Sequence, residues 1–359
     1  MELTLASALT RLRGVQLNRR ADSCLSSISR SQFQAPGESV TRPIRDRARA
    51  NRDLLSIELR TLRIAAFGDI HGNIFALRAV LADLRKQSPD AMALTGDLVY
   101  KFPWGAEVVD TVRSLPHQAV IGNSELYVAL CGTPLWPTDK WNIPLAHRVI
   151  TWERARLGAE RLAWLAALPE HVAFSGGRVE DLLVVHGVPG NPFLPFLARP
   201  GEDRSPWVQS EERVRELLAD VDADVVVCGH THSTLLRRVR SAARETLIVN
   251  PGGLSYGRGR NVGPGRADYA LLDWSAATGW QVTLRTVHYD PEPLHTALLA
   301  LRDDYPIAAY MANRMRPPGT ETVPDPRFDF LAFRWGDAPD WWEARDDLPA
   351  WQALRQELE

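Results

Sequence analysis

The sequence predicts an α/β protein whose chemistry gathers at the carboxyl ends of its strands. Two patterns carry this. Short apolar runs alternate with stretches of helical period from Leu62 onward, and run after run stops at a glycine beside an Asp, Asn or His. Composition agrees: of 359 residues 45% are apolar and 24% charged, the mixture of a soluble globular chain with a sizeable core.

Taken in order, "LRIAAF" reads as a strand, and Leu77, Leu81 and Leu84 behind it recur at helical spacing. "DAMALTGD" is the next strand, "AEVVDTVRSL" a helix and "QAVIGN" a strand, while "LAHRVITWERARL" and "AERLAWLAAL" read as a helix pair. The second half is denser in strands: "DLLVVHG", "ADVVVCGH", "ETLIVNPG", "ADYALLDW" and "WQVTLRTVHY", with "EERVRELLADV" helical between the first two. Past Asp290, "EPLHTALLALRDDYPIAAYMANRMRPP" predicts one or two helices. Residues 1–60 are Arg-dense and Ser-bearing without a sustained apolar period, so they read as a disordered leader with at most a short helix over 3–12. Residues 61–290 then form the catalytic domain, and 291–359 a helical extension whose Trp341, Trp342 and Trp351 dock on it.

Charge excludes some functions. Lys+Arg 42 against Asp+Glu 44 leaves a net charge of -2, so nothing overall draws this chain to nucleic acid or an anionic membrane. The cysteines, Cys24, Cys131 and Cys228, are odd in number and far apart, which argues against a disulfide framework and a thiolate zinc site. No run approaches the ~20 apolar residues of a spanning helix, and the first residues make a poor signal peptide. A cytoplasmic protein acting on a small molecule is expected.

Asp69 and His71 follow "IAAFG", Asp97 follows "MALTG", His186 closes "LLVV", His230 and His232 follow "VVVCG", and "QAVIG" ends at Asn123. Strand ends form the binding crevice of open α/β sheets, so these side chains converge there. Alone each is weak, since a Gly-Asp marks a turn and an isolated buried histidine is usually a hydrogen-bonded core residue. Together they would repel and cost desolvation energy unless metal ions sat among them. Hard oxygens with imidazole and no thiolate suit Mn, foremost, or Fe, Zn, Ni or Co. Seven ligands exceed one coordination shell, so two divalent ions are expected, with Asp97 in the middle as the bridge. Such a pair, about 3.5 to 4 Å apart, lowers the pKa of a bridging water and clamps a phosphoryl group.

These motifs resemble the calcineurin-like metallophosphoesterases, in particular their compact bacterial and archaeal phosphodiesterase-like branch, through "GDIHGN", "GD", "GN", "HG" and "GHTH". The likeness spans about 62–289, including "NPGGLSYGRGRNVGPGRADYALLD". It implies a sandwich of two mixed β-sheets flanked by helices. It also implies that Asp69, His71 and His232 hold one metal, Asn123, His186 and His230 the other, and that Asp97 bridges. The implied activity is hydrolysis of a phosphomonoester, phosphodiester or nucleotide by a metal-bridging hydroxide; the alternative is a catalytically weak or inactive binding protein on the same fold. A nuclease or protein phosphatase is a third reading.

One departure stands out. Where most of the superfamily has Asn-His-Asp or Asn-His-Glu, this chain reads "GNSEL", so Ser124 replaces a histidine and Glu125 takes the acidic place beside Asn123. Asp97, Asn123, Ser124 and Glu125 make up the expected catalytic group. A serine hydroxyl is a poor general acid, which favours substrates whose leaving group needs no proton. Arg258 is the expected substrate contact, a guanidinium suited to phosphate, with Arg260 behind it and His147 a candidate substitute for the missing histidine.

Overall fold

The computed structural model describes residues 61–133, 144–176, 179–200, 206–240, 244–255 and 264–322. The leader expected over 1–60, the tail with Trp341, Trp342 and Trp351, and both Arg258 and Arg260 lie outside these residues.

In chain order the strands are β1 (Thr61–Phe67), β2 (Ala91–Leu94), β3 (His117–Ala119), β4 (His171–Gly176), β5 (Val179–Val185), β6 (Leu197–Pro200), β7 (Pro206–Val208), β8 (Val225–Val227), β9 (Thr234–Arg240), β10 (Glu245–Pro251), β11 (Arg266–Ser275) and β12 (Gly279–His288). The helices are α1 (Ile74–Gln87), α2 (Gly105–Arg113), α3 (Asn123–Leu130), α4 (Pro144–Ala166), α5 (Glu211–Leu217), α6 (Glu292–Ala300) and α7 (Ala308–Arg314).

Two five-stranded sheets result, ordered β12-β11-β1-β2-β3 and β4-β5-β8-β10-β9, with β6 and β7 paired separately. Both are mixed. β1, β2 and β3 run parallel while β11 is antiparallel to β1 and β12. β5, β8 and β10 run parallel, with β4 and β9 antiparallel at the edges.

The alternation of side chains along a strand explains why "IAAF" is apolar throughout. Ile64 and Ala66 face the second sheet, where they pack with Val184, Val225, Val227 and Val249. Ala65 and Phe67 face the other way, onto Leu77 and Val80 of α1, Val108 of α2 and Ile150 of α4. The outer face of the second sheet, through Leu183, Val185, Val226 and Ile248, packs on Val214 and Leu218 at α5. The central strands of both sheets are therefore buried on two faces, in a helix–sheet–sheet–helix sandwich.

Local chemistry sets the helix ends. The Asn73 side chain accepts the Ala76 N–H at 3.1 Å and so starts α1 at the end of "GDIHGN". Gly158, at φ 68° and ψ 169°, breaks α4 into the expected pair. α6, α7 and the residues capping α7 put Leu294, Leu298, Ile307, Met311 and Met315 into the core shared by α1, α2 and α4. Among the described residues no helix is long and apolar enough to cross a membrane.

Some expectations change. Asn123 opens α3 instead of closing a strand, because β3 stops at Ala119. Every residue of α3 is buried, so it has no polar face to mark a helical period. β4, β6, β7 and β9 are additional strands; "TLLRRVR" of β9 lies at a sheet edge, where arginines obscure the alternation. His147 is exposed on α4.

α4 also buries a carboxyl: Glu153 is 1% exposed, and burial pushes it from an ordinary value of 4.5 up to about 8, against the opposing pull of the Tyr100 N–H and Arg156. The fold favours the protonated form, so Glu153's contribution is full below about 4.5 and is lost as pH rises through about 8. Urea unfolding of Glu153→Gln beside the wild type is therefore expected to show the variant gaining on the wild type from pH 5 to pH 9. A stability difference constant with pH would contradict this burial effect.

Candidate metal centre

The turns that leave the parallel strands interlock. The Asp69 N–H donates to the Gly96 carbonyl at 3.0 Å, His71 N–H to Asp97 at 2.8 Å, and Gly229 N–H to His186 at 2.7 Å, the last within the second sheet. β1 thereby delivers Asp69 and His71, β2 Asp97, β5 His186, β8 His230 and His232, and the start of α3 Asn123. All seven are buried, the most exposed being His230 at 7%.

Their donor atoms form two groups, each within 4.8 Å: Asp69, His71, Asp97 and His232, then Asp97, His186 and His230. Asp97 belongs to both. Its Oδ2 lies 3.4 Å from His71 Nε2 and its Oδ1 3.4 Å from His186 Nε2, so one oxygen turns to each group. In the first, His232 Nε2 is 2.9 Å from His71 Nε2 and 3.4 Å from Asp69 Oδ1. In the second, Asn123 Oδ1 lies 2.9 Å from His186 Nε2 and 2.7 Å from His230 Nδ1.

Second contacts of the histidines say what should sit between them. His186 Nδ1 lies 2.6 Å from the Thr95 carbonyl, which can only accept, so Nδ1 carries the proton and Nε2 presents a lone pair. That lone pair faces the Asn123 oxygen, with His230 Nδ1 3.2 Å away. Facing lone pairs repel, and a cation between them removes the conflict. The Val99 carbonyl, 3.3 Å from His71 Nδ1, orients that ring in the same sense. Hard oxygens and imidazoles, arranged this way, fit divalent metals. Cys228 is no thiolate rival: burial and the Asp69 charge lift it to about 12.

Backbone conformation marks the same place. Of the eight described non-glycine residues with positive φ, only Ser88, at the end of α1, lies outside it. The others are Asp69, His71, Asp97, Tyr100, Lys101, His230 and His232. Left-handed backbone persists only where surroundings over-determine it. Glu125 supplies much of that constraint. Its carboxylate accepts from the N–H groups of Gly122 (2.8 Å), Asp97 (2.9 Å), Leu98 (2.8 Å) and Val99 (3.3 Å), fastening the Asp97 turn to α3. Burial, then the Asp97 charge, pushes its pKa up to about 8 while those N–H bonds pull it down. Ser124 donates its N–H to Asp97 Oδ1 at 2.8 Å, and its hydroxyl lies 3.4 Å from His71 Nδ1. Asn250 donates to the Gly229 carbonyl at 2.7 Å and accepts the Gly252 N–H at 3.0 Å, tying the "NPGG" turn to "GHTH".

A family model for calcineurin-like phosphoesterases matches residues 62–234, the stretch that holds all seven of these side chains. Over those residues the chain is similar to the calcineurin-like phosphoesterases. Similar proteins fit: an uncharacterized protein of Methanocaldococcus jannaschii is 24% identical over 240 residues, covering 63% of this chain and 88% of the relative. A metallophosphoesterase from Sphaerobacter thermophilus shares the fold at a TM-score of 0.52 and 24% identity, over 71% of this chain and 98% of its own. A hypothetical protein of Pyrococcus horikoshii does so at 0.54 and 19%, over 70% and 97%.

Lys101 lies at the candidate metal centre and was passed over in the sequence. Its Nζ lies 3.3 Å from His71 Nε2, carried on a half-buried residue at φ 94°. No motif marks it. The available signal was that it is one of only three lysines among 42 basic residues.

Gly122 has no room for a side chain: a Cβ there would lie 2.3 Å from Asp97 Oδ1 and 2.4 Å from Asp97 N. Gly122→Ala is expected to weaken Mn²⁺ binding by roughly 10- to 100-fold while circular dichroism shows the fold retained. An unchanged metal titration would contradict the tight packing around Asp97.

Proposed function

We propose that this chain is a dinuclear, metal-dependent phosphoesterase acting on a small phosphomonoester, phosphodiester or nucleotide. The observation that carries the reading is the Asp97 carboxylate, which turns one oxygen to each of two buried ligand groups. Asp69, His71, Asp97 and His232 would hold one ion, and Asp97, Asn123, His186 and His230 the other. Bound there, divalent metals lower the pKa of water and neutralise phosphoryl charge. Mn²⁺ suits the donors, and the reaction needs no thiolate or redox group.

The chain's own residues do the rest. The Ser124 and Glu125 contacts fix Asp97, and the Thr95 and Val99 carbonyls fix the ring orientations of His186 and His71. Lys101 anchors the substrate. Its Nζ lies 3.3 Å from His71 Nε2, and with a cation on that nitrogen the half-exposed ammonium would be repelled outward, where it could pair with a phosphoryl oxygen. Arg258 is a second anchor in this proposal. Ser124 offers a hydroxyl in place of an imidazole, so the leaving group departs without an efficient proton donor. Aryl phosphoesters should therefore outperform alkyl ones.

With added Mn²⁺ the protein is expected to hydrolyse bis-aryl phosphate, Asp97→Asn to fall to the blank rate, and chelation to abolish a turnover that Mn²⁺ restores. A fully metal-loaded but inert wild type would instead favour a binding protein on this fold. Ser124→His is expected to raise alkyl relative to aryl turnover by up to ~10²-fold; an unchanged ratio would contradict the leaving-group explanation. Lys101→Met is expected to weaken inorganic phosphate inhibition about tenfold or more, with an equal inhibition constant counting against the anchor.

A further inference from the structure

Behind the Tyr100–Lys101 turn, four buried polar atoms have no hydrogen-bond partner among the described residues: both carboxyl oxygens of Glu153, the Tyr305 hydroxyl and Trp152 Nε1. They share a neighbourhood. The Trp152 and Tyr305 rings lie 4.6 Å apart, and burial first, then the charges of Glu153 and Tyr100, hold the Tyr305 phenol well above its ordinary pKa. The Tyr100 N–H faces Glu153 from the strained turn and favours its ionised form. Glu153 also fills the space over Gly105, where a Cβ would meet Oε1 at 1.7 Å.

Buried polar atoms almost always find partners, and a mixed set of donors and acceptors such as this suits ordered water. The place matters because of what lies in front of it. Tyr100 and Lys101, at φ 71° and 94°, are consecutive non-glycine residues in left-handed backbone, a conformation that relaxes unless it is held. In front, the Phe102 N–H donates to the His71 carbonyl at 2.9 Å. At the side, the Tyr100 ring packs edge-on against Tyr127. Glu153 and Tyr305 form the backing.

We propose that Glu153 and Tyr305 are positioning residues: through ordered water they hold the Tyr100–Lys101 turn, and with it the Lys101 ammonium, at the metal centre. The helical segment after residue 290, which contributes Tyr305, thus completes the phosphate site from behind. This rests on reading the centre as a phosphoryl site. Glu153 acts as a neutral hydrogen-bonding group, and the charged or titratable groups around it are Tyr100, Tyr305 and Arg156, the last paired with Asp304.

The test is a set of double-mutant cycles on Mn²⁺-loaded protein, with inorganic phosphate binding read by calorimetry and metal content measured in parallel. Glu153→Leu and Tyr305→Phe are expected to weaken phosphate binding about fivefold or more in the presence of Lys101, and to add nothing on a Lys101→Met background. Metal content should not change, and Glu153→Gln should bind phosphate like the wild type. Tyr305→Phe removes only a hydroxyl, so it carries the test should Glu153→Leu fail to fold. Undiminished phosphate binding in Tyr305→Phe, losses of the same size with and without Lys101, or a Gln variant as weak as the Leu would overturn the proposal. Because binding is measured apart from turnover, a protein that binds phosphate normally but hydrolyses nothing would sink the phosphoesterase reading alone.

Discussion

Everything at this centre depends on how the Asp97 carboxylate is held. Left free, a buried carboxylate among imidazoles would turn to the best single partner. Here Ser124 N–H holds Oδ1, Glu125 holds the backbone at Asp97, and Gly122 leaves only enough space for both. Each oxygen consequently faces its own set of histidine nitrogens. The proposed chemistry follows from that division, since a carboxylate shared between two bound cations would fix their spacing.

The sandwich supplies the rigidity. Each sheet has a parallel trio, β1-β2-β3 and β5-β8-β10, buried on both faces, and six of the seven candidate ligands follow the carboxyl ends of strands in these trios. His71 and His232 are 161 residues apart in sequence, yet their Nε2 atoms lie 2.9 Å apart. Left-handed backbone at five of the seven candidate ligands is the local cost of that convergence, and the core around it offsets that cost.

Much of this was legible in the sequence, for physical reasons. β1, β5, β8 and β10 are apolar because both their faces are covered, and each stops at a polar residue or glycine that must turn toward the crevice. The seven candidate positions could be read because metal chemistry favours Asp, Asn and His, and six of them follow strand ends while Asn123 opens a helix. What stayed hidden depends on three-dimensional company. Lys101 carries no motif, and only folding puts its ammonium beside His71. Glu125 stands beside Asn123 in the sequence, but only folding shows four backbone N–H groups donating to its carboxylate. α3 was missed because a helix buried on every side has no amphipathic signature.

The most direct measurement is low-temperature electron paramagnetic resonance of the Mn²⁺-loaded protein, with metal content determined on the same sample. About two ions per chain and an exchange-coupled spectrum, which becomes that of uncoupled Mn²⁺ in Asp97→Asn, is the result expected of a carboxylate shared between two metals. A wild-type protein that saturates at one ion per chain with the spectrum of isolated Mn²⁺ would contradict it.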